Sequence, residues 1–143
     1  MTRPSILMPE KIHFETRLKV RITDINYGNH LGNDSLLSLI HEARMELFTK
    51  LGYTELRIEG TRLLISDMTV IYQSEVFYGE MLRIEISVCE FNKYGCNIYY
   101  RVENASDGRP VALARSGIIF KSLETQKVTG APEKLRSVFE CNH

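Results

Sequence analysis

The sequence predicts an α+β protein: a curved antiparallel sheet of five strands wrapped around one long helix, pairing with a second copy of itself. Three observations predict it. A strand-like alternation opens the chain, a single helical repeat follows it, and the rest reads as four further strands separated by turns. At 143 residues the chain fits one domain, residues 1–143, with a core over about 13–122 and a tail over 123–143.

The first strand is read from Phe14, Thr16, Leu18, Val20 and Ile22, which alternate with Glu15, Arg17, Lys19, Arg21 and Thr23. Period-two alternation sends one set to each face, with the apolar set buried. Asp24 and Asn26 continue the parity of the buried set, so an extended chain carries both toward the core or a partner. A carboxylate there is costly unless something pairs or uses it.

A turn-rich loop over 26–33 separates this strand from the helix. Leu36, Leu37, Ile40, Ala43, Leu47, Phe48 and Leu51 then recur at helical spacing, and Leu39 and Met45 widen the apolar stripe. Asn33 or Asp34 suits the N-cap and Gly52 the stop, giving a helix of about five turns. Beyond it, Leu63–Tyr72 is apolar and rich in β-formers. Leu82, Ile84, Ile86 and Val88 alternate with Arg83, Glu85, Ser87 and Cys89, and Cys96–Val102 is rich in Ile, Tyr and Val. The segment Asn104-Ala105-Ser106-Asp107-Gly108 signals a tight turn before a last strand over about 111–121. Past Glu124-Thr125-Gln126 the tail is polar, with Pro132 and a short apolar ending. One helix covers only one face of such a sheet, and bare strand edges are liabilities that a homodimer removes.

Composition excludes several function classes. Eighteen basic residues balance eighteen acidic ones and no Lys/Arg run makes a local patch, which argues against nucleic acid or an anionic membrane as partner. The amino terminus has one positive charge and a three-residue apolar stretch, short of the roughly 7–15 apolar residues of a secretory signal. Nothing approaches the ~20 apolar residues of a membrane span, so the cytoplasm is the expected compartment. Cys89, Cys96 and Cys141 match no disulfide or metal framework. Cys89 and Cys96 flank the turn Asn92-Lys93-Tyr94-Gly95 and read as reduced thiols on neighbouring strands. His30 and His41 lack a third ligand at useful spacing, so no metal is expected.

The loop and helix carry a family resemblance. Asp24-Ile25-Asn26-Tyr27-Gly28-Asn29-His30-Leu31-Gly32-Asn33, followed by Ile40-His41-Glu42-Ala43-Arg44, resembles the hotdog-fold acyl-CoA thioesterases related to 4-hydroxybenzoyl-CoA thioesterase. That family commonly reads D-x-D-x-x-G-H-V-N-N before its central helix and E-x-A-R within it. Tyr72 with Phe77-Tyr78-Gly79-Glu80, then Val111-Ala112-Leu113-Ala114-Arg115, and Pro132, extend the likeness over about residues 13–137. It implies a hotdog dimer, or dimer of dimers, that hydrolyses an acyl thioester at a site between subunits, with coenzyme A as part of the substrate and no separate cofactor. It also implies that the amides of Asn33, Asp34 and Ser35, opening the central helix, polarise the thioester carbonyl. Orphan donors and the helix dipole there suit a developing oxyanion.

One departure bears on mechanism. The family's second Asp, its usual nucleophile or base, is Asn26 here, and an amide has no useful basicity. Asp24 is the nearest carboxylate and the first candidate base; its structural alternative is a turn-forming Asp bonded to loop amides. Asn26 and His30 complete the catalytic candidates, against readings as a loop-stabilising amide and a loop anchor. Glu42 and Asp67 are further carboxylates. Glu42 with Arg44 reads more simply as an ion pair, and Asp67 as a paired buried group. Tyr72 and Tyr78 read as packing residues, while Arg62, Lys93, Arg115, Lys134 and Arg136 are all open as partners of the coenzyme A phosphates. Two other functions stay open: acyl-CoA binding without hydrolysis, and hydration of an enoyl thioester, since Asp24-x-Asn26 before His30 loosely matches the hydratase pattern D-x-N-P-x-H.

Overall fold

Alternating apolar residues build the sheet and one apolar stripe builds the helix that it enfolds. The computed structural model describes residues 4–140, so Cys141 lies outside the described residues. Its elements are β1 (Phe14–Lys19), a 3-10 turn (Ile22–Asp24), α1 (Asn33–Lys50), β2 (Thr61–Tyr72), β3 (Met81–Cys89), β4 (Gly95–Asn104), β5 (Pro110–Ser122) and α2 (Glu133–Glu140). The strands form one sheet in the order β1-β3-β4-β5-β2, every pair antiparallel. This is the hotdog architecture.

In the sheet centre, Leu82, Ile84, Ile86 and Val88 of β3 and Ile98, Tyr100 and Val102 of β4 point to one face and are buried. Leu36, Leu39, Ile40, Ala43, Leu47 and Phe48 of α1 are buried with them in one core. Each fully buried side chain of this size contributes about 1.5–3 kcal/mol, which is why the helix stays inside the sheet's curve. Gly52, at φ +88°, ends the helix as predicted, in a conformation that costs glycine nothing.

Several expectations are corrected. The first strand stops at Lys19 instead of running to Asp24. The 3-10 turn interrupts the alternation, leaving Ile22 69% exposed, while Asp24 is buried as expected. The N-cap of α1 is Gly32 rather than Asn33 or Asp34. A Cβ on Gly32 would come within 2.8 Å of Asp34 Oδ1, so this corner is kept free of a side chain. Leu37 is exposed, because the buried stripe runs through 36, 39, 40, 43 and 47 and leaves 37 on the outer side.

Two charged pairs also differ. Buried Arg44 bonds not to Glu42 but to Glu55, and donates to the Tyr100 hydroxyl at 3.1 Å, which itself lies 2.7 Å from Ser116 Oγ. Glu42 is exposed. Asp67 is exposed rather than buried, because β2 is an edge strand with a register shift between Ile65 and Asp67. Its carboxylate lies over Gly117, where a Cβ would come within 2.0 Å of Oδ1, and pairs with Arg115.

The polar tail hides an element that the sequence reading missed. Residues 133–140 form α2, whose Leu135 and Phe139, four apart, join the core. Cys89 and Cys96 are free thiols on adjacent strands, and burial pushes the Cys96 thiol up to about 12, which makes it a poor nucleophile. Among the described residues no helix is long and apolar enough to cross a membrane, and no cluster of three or more ligating side chains offers a metal site.

Candidate active site

The site grows out of the segment between β1 and α1. After β1, Val20 donates its N–H to Glu80 O at 2.9 Å, and the chain then turns. The Asp24 carboxylate makes that turn: Oδ2 accepts the Arg21 backbone N–H at 2.8 Å and Arg21 Nε at 3.3 Å, and Oδ1 accepts Arg21 Nη2 at 3.2 Å. Asp24 is therefore buried with both oxygens occupied. Its backbone C=O accepts Gly32 N–H at 3.0 Å, which ties the turn to the start of α1.

Residues 26–30 close a small loop on themselves. Asn26 N–H donates to His30 O at 3.0 Å, and Asn26 Oδ1 accepts Gly28 N–H at 2.8 Å, an Asx turn. Asn29 takes φ +63°, a left-handed conformation that Asn tolerates. Tyr27 at the tip is fully exposed. The His30 ring folds back over Gly28, where a Cβ would sit 3.0 Å from Nε2 and 3.3 Å from Asn26 Oδ1. Nδ1 of His30 lies 3.1 Å from Leu31 O.

Next along the chain, α1 begins without a side-chain cap at Gly32. The first amides of a helix have no partner within it, so the end keeps its donors and its partial positive charge for whatever approaches. Two depressions meet at this end and share Gly32. One, of about 250 Å³, is lined by His30, Asn33, Leu36 and the stretch from Tyr72 to Val76 with Val111. The other, of about 350 Å³, is lined by Asp24, Asn26, Tyr27, Asp34 and Ser35 among others.

The predicted site residues are thus gathered around one helix end but divided between its two sides. Asp24, Asn26, Asp34 and Ser35 share one side, and His30 and Asn33 the other. Glu42 stands apart, in a groove with Leu18, Lys19, Arg21, Ser38 and Leu39. Asp67 lines neither depression. The hydrogen bond from Arg115 holds its carboxyl below the usual carboxylate range, so it is a weak base. Arg115 is occupied too, bonding Asn97 Oδ1 at 2.9 Å besides Asp67, and Arg136 bonds Glu140 at 2.7 Å.

Sequence reasoning did not single out Glu75. It enters because Leu31 N–H donates to Val76 O at 2.7 Å, setting residue 30 opposite residue 75. Glu75 Oε1 then lies 3.8 Å from His30 Nε2. No local motif marks such a residue, since the pairing joins segments 45 positions apart.

Comparisons with known proteins agree with this architecture. Solved structures that match include a 1,4-dihydroxy-2-naphthoyl-CoA thioesterase from Synechocystis (TM-score 0.81, 14% identity, covering 90% of this chain and 96% of that one). Another is the gentisyl-coenzyme A thioesterase BH1999 (TM-score 0.76, 16% identity, covering 88% and 99%). A third is a predicted thioesterase from Bacillus stearothermophilus (TM-score 0.76, 21% identity, covering 88% and 92%). At these identities the likeness establishes the fold. Comparison with curated proteins yields no match. A family model described as the thioesterase-like superfamily matches residues 20–139, which takes in the loop, the helix end and the whole sheet beyond β1. The chain belongs to the thioesterase-like superfamily.

Proposed function

We propose that the protein hydrolyses an acyl thioester, with the acyl carbonyl held at the amino end of α1 and coenzyme A, or an acyl-carrier pantetheine, as the thiol. The observation that carries this reading is the uncapped start of α1, which opens onto two depressions lined by Asn33 on one side and by Asp34 and Ser35 on the other. A thioester carbonyl there accepts hydrogen bonds that strengthen as its oxygen becomes negative, so the helix end favours the tetrahedral transition state over the ground state. Leu36, Val76 and Val111 give the smaller depression an apolar wall for the acyl group.

Assembly belongs to the same reading. The β2 edge is twelve residues long and leaves Ile65 and Tyr72 exposed, while the depression beside His30 begins at the end of that strand. A second copy paired along β2 would cover the edge and wall the site, giving a homodimer or a dimer of dimers.

A second reading has one observation in its favour. Asn26 stands where relatives of this pattern carry a carboxylate, and its Oδ1 is already bonded to Gly28, as in a loop amide. A protein that binds acyl-CoA without cleaving it would look the same at this position.

Thiol release from a panel of short, long and aromatic acyl-CoAs separates the two. Aromatic members are included because the solved structures similar in fold include thioesterases named for aromatic acyl groups. Hydrolysis of at least one member supports the first reading. Saturable binding with no thiol released from any member supports the second and sinks the first. Asn26→Asp adds a mechanistic arm: a large gain in kcat means the wild-type loop lacks a base, whereas no gain means that the base lies elsewhere.

A further inference from the structure

We propose that Glu75 and His30 form the proton-transfer pair of the site, with His30 Nε2 taking the proton of the attacking water and Glu75 stabilising the imidazolium that results. This rests on the hydrolytic reading above and supplies the base that Asn26 does not.

The carboxylate nearest in sequence does not fit the task. Both oxygens of Asp24 accept bonds from Arg21 and the residue is buried, so using it as a base would dismantle the turn that places the loop. Glu75 is in the opposite situation. Its side chain is 66% exposed, and none of the hydrogen bonds among the described residues engages its carboxylate, whose near neighbour is His30 Nε2 at 3.8 Å.

The backbone fixes this encounter. Gln73 N–H donates to Val111 O at 2.8 Å and Ser74 Oγ to Pro110 O at 2.5 Å, which straps the segment after β2 to the start of β5. Arg109 Nη2 donates to Glu75 O at 3.3 Å, and Leu31 N–H to Val76 O at 2.7 Å. The two side chains therefore meet across a cross-linked pair of segments, not between free loops.

The tautomer follows from the acceptor on the far side of the ring. Leu31 O, 3.1 Å from Nδ1, can only accept, so Nδ1 carries the hydrogen and Nε2 of the neutral ring carries a lone pair. Glu75 Oε1 lies 3.8 Å from that nitrogen. Two acceptors at 3.8 Å gain nothing from each other until a proton arrives, and then become an ion pair. Asn33 at the opening turn of α1 lines the same depression, so water held by Nε2 has a carbonyl within the same cavity to attack.

The step balances without any further reagent. Water oxygen bonds to the acyl carbon as its proton passes to Nε2, and the C=O pair moves onto oxygen beside the helix amides. Collapse re-forms the C=O and breaks the C–S bond. The leaving sulfur takes the bonding pair and then the Nε2 proton. Thioester and water become carboxylic acid and thiol.

An exposed His–Glu pair that only decorates the surface contributes little, and removing it would leave turnover unchanged. The test is steady-state hydrolysis of whichever acyl-CoA the wild type accepts, with kcat and KM resolved for Glu75→Gln, Glu75→Asp and His30→Gln, and with Glu124→Gln as a surface control. His30→Gln should lower kcat by roughly 10²–10⁴-fold. Glu75→Gln should lower kcat about tenfold or more with KM changed less than about twofold, and Glu75→Asp should recover part of the loss. Melting temperatures should match the wild type, because the Glu75 side chain is largely in solvent. A wild type that releases no thiol overturns the hydrolytic reading and this pair with it. An active wild type whose Glu75→Gln variant keeps its kcat, or changes only KM, overturns the pair alone.

Discussion

At the scale of single residues, Asp24 and Asn26 are neighbours in pattern with separate tasks. Asp24 holds a 3-10 turn closed through one backbone and two guanidinium bonds, and Asn26 holds a five-residue loop closed through Gly28. Asp24→Asn keeps the shape but loses the charge assistance. Because Arg21 is mostly in solvent, the ion-pair part counts for little, and the expected cost is about 1–2 kcal/mol in urea unfolding. A fall in kcat with unchanged stability would instead mark Asp24 as the base. The sequence showed that a buried carboxylate belonged at 24, but for the wrong reason. Strand parity predicted it, while the actual cause is a turn that the carboxylate itself makes. Nothing local pointed to Glu75, whose role depends on a backbone bond between residues far apart in the chain.

Among the elements, α2 is the one that hydropathy concealed, because only Leu135 and Phe139 of its eight residues are buried. It docks through Phe139, whose ring meets His13 edge-on at 5.1 Å and stacks near Phe91 at 6.5 Å. Phe139→Ala should cost about 3 kcal/mol, read by chemical denaturation. His13 is a joint between three elements. Its Nδ1 accepts Val88 N–H at 3.0 Å, and Nε2 lies 3.2 Å from Phe139 O. Burial, with a smaller push from Lys11, lowers the His13 pKa, against an upward pull from the Phe139 carbonyl. A base whose folded pKa is depressed contributes stability that is complete above its unfolded value, about 6.5, and is lost as pH falls through the folded one. Stability should therefore decline from pH 7 toward pH 5. His13→Gln should be less stable at pH 7 and flatter across that range. The strands, by contrast, were legible nearly to their ends, since alternation over β3 and β4 reports burial directly. The bounds of β2 to β5 moved by one or two residues at most, where hydrogen bonding and not side-chain pattern decides, while β1 ended five residues early at its 3-10 turn.

For the whole molecule, the order of strands leaves β1 and β2 at the margins of the sheet, and they are unequal: six residues against twelve. The longer leaves Ile65 and Tyr72 exposed along an unpaired edge, so it is the edge through which a dimer would form. Ile65 is 41% exposed, so a charge there harms the fold little but would sit inside that interface. Ile65→Asp should convert a dimer paired through β2 to monomer in analytical ultracentrifugation, and lower thiol release with it if the partner walls the site. An unchanged sedimentation coefficient would move the interface elsewhere. A second copy was an expectation drawn from one helix facing five strands. Which edge would be left bare was not legible in advance, because strand order is a property of the assembled sheet.

The missing cap at Gly32 links occupancy to folding. A helix end without its own sealing side chain is finished by whatever docks on it, so a bound thioester, or an unreactive thioether analogue, stabilises only the native form. At a hundredfold excess over Kd that linkage amounts to about 2.7 kcal/mol, enough to raise the melting midpoint measurably. Thermal-shift screening of such analogues would thus rank acyl groups even for a protein that turned none of them over.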